Sequence, residues 1–111
     1  MARQYTRYSK QRLAIAYVDE TINWQGVTIH VRHERCYLGI DGWSRLEVMV
    51  VSPSGHPLPI SDQGFVAVEL EEAEILAAGG AAALFIAWLD REKDCRRYSL
   101  ALRTYKQLNL F

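Results

Sequence analysis

Apolar and polar residues alternate most regularly in the middle of the chain. Over residues 27–37, Val27, Ile29 and Val31 fall on one side and Thr28, His30, Arg32 and Glu34 on the other. That period of two predicts a strand with one face in a core and one in water. Gly39-Ile40-Asp41-Gly42 carries turn chemistry. Trp43 to Ser52 then reads as the returning strand, with Leu46, Val48 and Val50 directed inward. The hairpin over about 27–52 is the clearest element of the pattern.

Elsewhere the period changes. Ser9 stands as a helix N-cap before Lys10-Gln11-Arg12, and Leu13, Ala14, Tyr17, Val18 and Ile22 recur at helical spacing. A helix is expected at about 10–23, ended by Gly26, although strand alternation fits residues 13–18 almost as well. Pro53-Ser54-Gly55 is a turn, and Pro57 and Pro59 restrict the next stretch to an edge strand or an extended loop. Phe65 to Val68 is a candidate third strand. Glu69, Glu71, Glu72 and Glu74 are expected to open a short acidic helix, which Gly79-Gly80 breaks. A further helix is predicted over about 81–92, with Ala81, Leu84, Phe85, Trp88 and Leu89 on one face. Residues 94–106 fit either a helix (Tyr98, Leu102, Tyr105) or a strand (Tyr98, Leu100, Leu102), and the helix is preferred.

These elements imply an α+β fold: a short antiparallel sheet built on the 27–52 hairpin, covered on one face by two to four helices, with 81–92 as the main packing helix. With 111 residues, half of them hydrophobic, the chain suffices for one domain, 1–106, which includes a basic N-terminal arm at 1–8 and is followed by a peptide at 107–111. Thirteen acids balance thirteen bases, which argues against a whole-surface affinity for nucleic acid or an anionic membrane. Two cysteines, Cys36 and Cys95, suit free thiols in the cytoplasm better than a disulfide scaffold. The apolar run Leu13 to Val18 is too short for a signal peptide or a membrane span.

Catalytic signals are sparse: no phosphate-binding glycine loop, no nucleophile elbow and no metal-spaced cysteine pair are present, so an enzyme is not the expected class and no cofactor is implied. His30, His33, Glu34 and Cys36 are metal-ligand types, but His30 and His33 lie three apart on a strand and point to opposite faces. Asp41 and Glu47 are carboxylates of the kind a magnesium nuclease pairs, yet Met49 stands where its lysine belongs. Ser44 and Ser52 have no evident activating base. Arg3, Arg7, Lys10 and Arg12, interleaved with Tyr5 and Tyr8, form an arm whose preferred reading is plain solubility; the alternative is phosphate contact and base stacking on DNA or RNA, as in a small nucleic-acid-binding or inhibitor module of phage or mobile-element type. His30, Arg32 and Arg45 on the open hairpin face would extend such a nucleic-acid surface.

The last five residues stand apart. Gln107-Leu108-Asn109-Leu110-Phe111 resembles the pentapeptide with which bacterial replication and repair proteins bind the DNA polymerase sliding clamp. Gln107, Leu108, Leu110 and Phe111 occupy its four defining positions and Asn109 the variable one. The glutamine amide both donates and accepts, so it can set the register of a bound peptide. Burying two side chains such as Leu110 and Phe111 is worth roughly 3–6 kcal/mol before the cost of ordering the peptide, which implies binding in the micromolar range. Arg103 and Lys106 just upstream would favour an acidic rim. The resemblance covers these five residues only. It implies a non-catalytic accessory protein docking on the clamp in DNA replication or repair. The competing reading is an apolar chain end tucked into the protein's own core. A fainter likeness, from Gly42-Trp43-Ser44-Arg45-Leu46-Glu47 through Pro57-Leu58-Pro59-Ile60, is to small bacterial proteins, and it carries no activity.

Overall fold

The computed structural model describes residues 17–109. Within them the chain forms four strands, β1 (Tyr17–Trp24), β2 (Val27–Glu34), β3 (Trp43–Ser52) and β4 (Phe65–Glu71), then three helices, α1 (Glu72–Ala77), α2 (Ala81–Glu92) and α3 (Arg96–Leu108). The strands make one antiparallel sheet in the order β1-β2-β3-β4, so each neighbour in sequence is a neighbour in space. The architecture is α+β, a four-stranded sheet with three helices.

The β2–β3 hairpin lies where its alternation places it. Val27, Ile29 and Val31 are buried, as are Leu46 and Val48, with Val31 opposite Val48 and Ile29 opposite Val50. Val51 is the extra residue of a bulge between Thr28 and Ile29, and it stands in solvent. Residues 81–92 form α2 with Ala81, Phe85 and Leu89 in the core and Leu84 and Trp88 half-buried beside them. The preferred helical reading of 94–106 corresponds to α3.

The first element differs from expectation. Where the spacing predicts a helix over about 10–23, residues 17–24 form β1, and residues 10–16 with the Ser9 cap lie outside the described part. The deciding feature is the connection to β2. Gln25 and Gly26 both take positive φ, 48° and 82°, the signature of the two-residue turn whose twist matches paired strands. Gly26 therefore closes a hairpin and does not end a helix. Asn23 Oδ1 accepts from the Gly26 amide at 3.2 Å, and Trp24 pairs with Val27 across the turn. Ile22 and Trp24 share the inner face because pairing, not a 3.6-residue period, selects them.

The acidic run is also divided differently. Glu69 and Glu71 belong to β4, where Val66, Val68 and Leu70 are half-buried and Phe65, Ala67, Glu69 and Glu71 are exposed. The helix begins only at Glu72, whose amide donates to the Gly42 carbonyl at 2.8 Å. Gly79 and Gly80 end α1 by donating to the carbonyls of Leu76 and Ile75, an arrangement that the left-handed φ of 96° at Gly79 permits. Between β3 and β4 the residues around Pro57 and Pro59 form an irregular loop with one bridge, Leu58 to Ser61. Leu58 is fully buried there and joins the core under the helices.

The three described helices pack on the inner face of the sheet, and among the described residues the side chains of the opposite face are exposed or half-exposed. That open face carries Asp19, Thr21, His30, Arg32, Arg45 and Glu47, with Met49 opposite Phe65 at one corner.

Candidate functional site

Helix α3 holds the most distinctive surface and leads into the Gln107–Phe111 peptide. Its start is anchored from several directions. The Cys95 sulfur accepts from the Tyr98 amide at 3.4 Å, a weak cap in place of the usual oxygen. Tyr98 is buried against Trp24, with ring centres 6.2 Å apart, and burial pushes its hydroxyl pKa up. Trp24 in turn donates from Nε1 to Asp90 on α2 at 2.8 Å. The Arg97 guanidinium donates to Asp62 Oδ1 and to the Pro59 carbonyl, fastening the helix to the β3–β4 loop.

Further along, contact with the body thins. Leu102 still packs against the core, and Tyr105 donates to the Ser54 carbonyl at 3.2 Å while its ring meets His56 edge-on at 4.9 Å. Between α3 and the loop runs a groove of about 440 Å³, lined by Pro57 on one side and Leu100, Thr104 and Leu108 on the other. At the helix end the Asn109 side chain donates back to the Tyr105 carbonyl at 2.8 Å. Gln107 and Leu108 form the last turn; both are exposed, Leu108 to 71%. Leu110 and Phe111, the other two expected docking residues, lie outside the described part.

The expected nucleic-acid arm, Arg3, Tyr5, Arg7, Tyr8, Lys10 and Arg12, also lies outside the described residues. The hairpin face that would extend it carries its own counter-charges. Asp19 Oδ1 lies 2.9 Å from Arg32 Nε and 3.3 Å from His30 Nε2, and Glu47 lies 3.1 Å from Arg45. The Arg32 hydrogen bond, backed by the charges of Arg32 and His30, holds the Asp19 carboxyl below its ordinary range despite some desolvation. His30 and His33 do point to opposite faces, His30 outward and His33 into the interior. Among the described residues no three His, Cys, Asp or Glu side chains converge to hold a metal ion. Cys36 and Cys95 are not joined in a disulfide.

One polar cluster has no counterpart in the sequence pattern. His33, at the inner end of β2, meets Ser44 Oγ at 3.2 Å and Glu72 Oε2 at 3.0 Å, and the Ser44 hydroxyl donates to that same Glu72 oxygen. Arg35 approaches the other oxygen at 3.5 Å. Serine, histidine and glutamate are the residue types of a hydrolase relay, but the connectivity differs. A relay needs serine on one imidazole nitrogen and the acid on the other. Here a single nitrogen, Nε2, faces both, and Ser44 is wholly enclosed. The cluster fastens α1 to β2 and β3. Burial pushes the Glu72 carboxyl up, yet the hydrogen bonds from Ser44 and His33, with the charges of His33 and Arg35, outweigh it and leave the group below its ordinary value. Sequence alone offers no base for Ser44, because Glu72 is 28 residues away and meets it only through the β3–β4 pairing.

Comparison with known families is decisive for most of the chain. The model for the KlcB third domain matches residues 17–98. The chain belongs to the KlcB third domain family. No curated protein and no solved structure matches it. In this KlcB third domain the matched stretch starts with β1 and ends at Tyr98, the buried anchor of α3. The sheet, α1 and α2 therefore form the shared body, and the exposed part of α3 and the peptide after it lie beyond the match. No helix among the described residues of this KlcB domain is long and apolar enough to cross a membrane.

Proposed function

We propose that this KlcB third domain protein is a non-catalytic docking protein that attaches to the bacterial DNA polymerase sliding clamp through Gln107, Leu108, Leu110 and Phe111. The observation that carries the reading is the five-residue pattern together with the exposure of its first members. Leu108 is a large apolar side chain, 71% exposed at the end of the helix, where it borders the groove beside Pro57 and takes no part in the core. Such a side chain is available to a foreign pocket without disturbing the core. The peptide also lies outside the family match, as an appended recognition element would.

Engagement requires the last turn of α3 to open, because a peptide read over successive residues cannot present all of them from one helix face. The cost is small, since helix ends fray and the loss is confined to the backbone bonds of the last turn, among them Asn109 N–H to the Tyr105 carbonyl, and the Asn109 side-chain cap to the same carbonyl. The proposed partner is thus the clamp, and the proposed setting is DNA replication or repair in the bacterial cytoplasm.

The test is titration of fluorescently labelled clamp with the intact protein and with the Leu110→Ala, Phe111→Ala variant. The intact protein is expected to bind in the micromolar range and the variant at least about tenfold more weakly, since one buried apolar anchor is worth more than about 1.4 kcal/mol. Equal binding by both removes the proposal.

A further inference from the structure

Helix α3 has a second face with a different chemistry. Between Cys95 and Asn109 there are four cations, Arg96, Arg97, Arg103 and Lys106, and no acid. Arg97 is engaged with Asp62 and Pro59. Arg96, Arg103 and Lys106 are exposed. Among the described residues, the arginines in ion pairs are Arg32, Arg35, Arg45, Arg91 and Arg97. Arg96, Arg103 and Lys106 have no acidic partner there. At about 100° per residue, they fall within a stripe about 80° wide that spans about 15 Å of helix axis, away from the packed Tyr98 and Tyr105. Exposed Ser99 lies in the same stripe and exposed Gln107 about 20° beyond its edge, both hydrogen-bond donors.

We propose that this stripe is a contact surface for the phosphate backbone of double-stranded DNA. The occupant is argued from complementarity. A polyanion rewards unneutralised cations aligned on one face and flanked by polar donors, and it needs no apolar anchor. An acidic protein would need one, and the apolar neighbours Leu100 and Leu108 instead line the groove toward Pro57. Single-stranded nucleic acid would need exposed aromatic rings for base stacking. The two tyrosines of α3 are unsuited to that, Tyr98 being buried and Tyr105 held by Ser54 and His56. The charge is local, since the whole chain sums to zero, so the attachment is expected to be weak and steeply salt-dependent.

The experiment uses the full chain without any clamp, so its outcome is independent of the docking proposal. Binding to a labelled 20-base-pair duplex is followed by fluorescence anisotropy between about 50 and 200 mM KCl. The wild type is compared with an Arg96→Gln, Arg103→Gln, Lys106→Gln variant and with an Arg3→Gln, Arg7→Gln, Lys10→Gln, Arg12→Gln variant. Circular dichroism melts verify that each variant folds. The expected result is a salt slope for the α3 variant shallower by about 2.7, three phosphates at about 0.9 each, so the wild type loses about 40-fold more affinity across that range. An α3 variant that binds like the wild type overturns the proposal, as does loss of binding confined to the arm variant. Tighter binding to single-stranded RNA or to poly-glutamate than to the duplex also overturns it.

Discussion

The hydroxyl of Ser44, on the inner face of β3, donates to the carboxylate of Glu72, the first residue of α1, while the buried His33 ring approaches the same oxygen from β2. Three elements thus meet at one carboxylate. Enclosed polar groups are costly when unpaired, and among the described residues no buried side-chain nitrogen or oxygen lacks a partner.

This arrangement makes stability depend on pH in a defined direction. The Glu72 carboxyl sits below its ordinary value of 4.5, so its ionised form favours the folded state. The contribution is complete above the unfolded-state value of about 4.5, declines as pH falls toward the lower folded-state value, and vanishes beneath it. Urea unfolding of Glu72→Gln against the wild type is therefore expected to show a deficit at neutral pH that shrinks below about pH 4.5. A deficit that is the same at pH 3 and pH 7 would show that the carboxylate charge is not what binds α1 to the sheet.

Phe85 is fully buried at the centre of α2 and stacks on Trp88 with ring centres 5.9 Å apart. Removing its ring leaves a cavity in the core cluster to which the fully buried Ile29, Leu46 and Leu89 also belong. Phe85→Ala is expected to cost about 3–5 kcal/mol, a large share of the roughly 5–15 kcal/mol that holds a small domain folded. Denaturant unfolding measures it directly. A cost below about 1 kcal/mol would mean that α2 is not the packing helix its burial pattern describes.

The parts of this fold that are readable in sequence share a physical cause. The β2–β3 hairpin keeps strict alternation because one face is buried and the other wet, and α2 has the same limits in sequence and in structure because Gly79-Gly80 and a single apolar stripe bound it. β1 passes for a helix because Leu13, Ala14, Tyr17, Val18 and Ile22 satisfy a helical period, and the contrary signal is the two-residue turn Gln25-Gly26. The pattern starts α1 too early because glutamates suit both a helix start and the outward face of β4. At the candidate site, the five-residue pattern is visible in sequence. The isolation of Arg96, Arg103 and Lys106 is not, because it depends on where the acids of other elements lie. Nor is the Ser44–His33–Glu72 cluster, which requires the strand register before its members are neighbours.

Two glycines with similar backbones separate conformational strain from steric exclusion. Gly26 has φ +82° and a β-carbon added there meets nothing within 4 Å. Gly64 has φ +72°, and a β-carbon there falls 2.8 Å from the His56 carbonyl oxygen and 3.0 Å from Val50 Cγ2. The Val50 amide also donates to the Gly64 carbonyl at 2.8 Å, so the backbone there cannot retreat without losing that bond. Gly26→Ala is expected to cost about 1 kcal/mol, the left-handed penalty alone. Gly64→Ala adds the collision and is expected to exceed about 2 kcal/mol. Equal unfolding midpoints for the two variants would contradict this account of the β3–β4 loop.

Leu38 offers the converse, a substitution expected to stabilise. It sits in the short 3₁₀ turn Tyr37–Gly39 with φ 59° and ψ 24°, and its side chain is 70% exposed. A leucine in that left-handed region carries a steric cost of about 1–2 kcal/mol, and with its side chain in water it recovers little of that by burial. Glycine adopts the conformation freely but loses more freedom on folding, by about 0.4–1 kcal/mol. Leu38→Gly is therefore expected to gain about 0.5–1 kcal/mol, seen as a higher urea midpoint at unchanged slope. Leu38→Asn, which tolerates the same region, should gain a similar amount without the glycine entropy term. A loss of stability in both variants would mean that the exposed leucine supports its loop through contacts that outweigh its backbone strain.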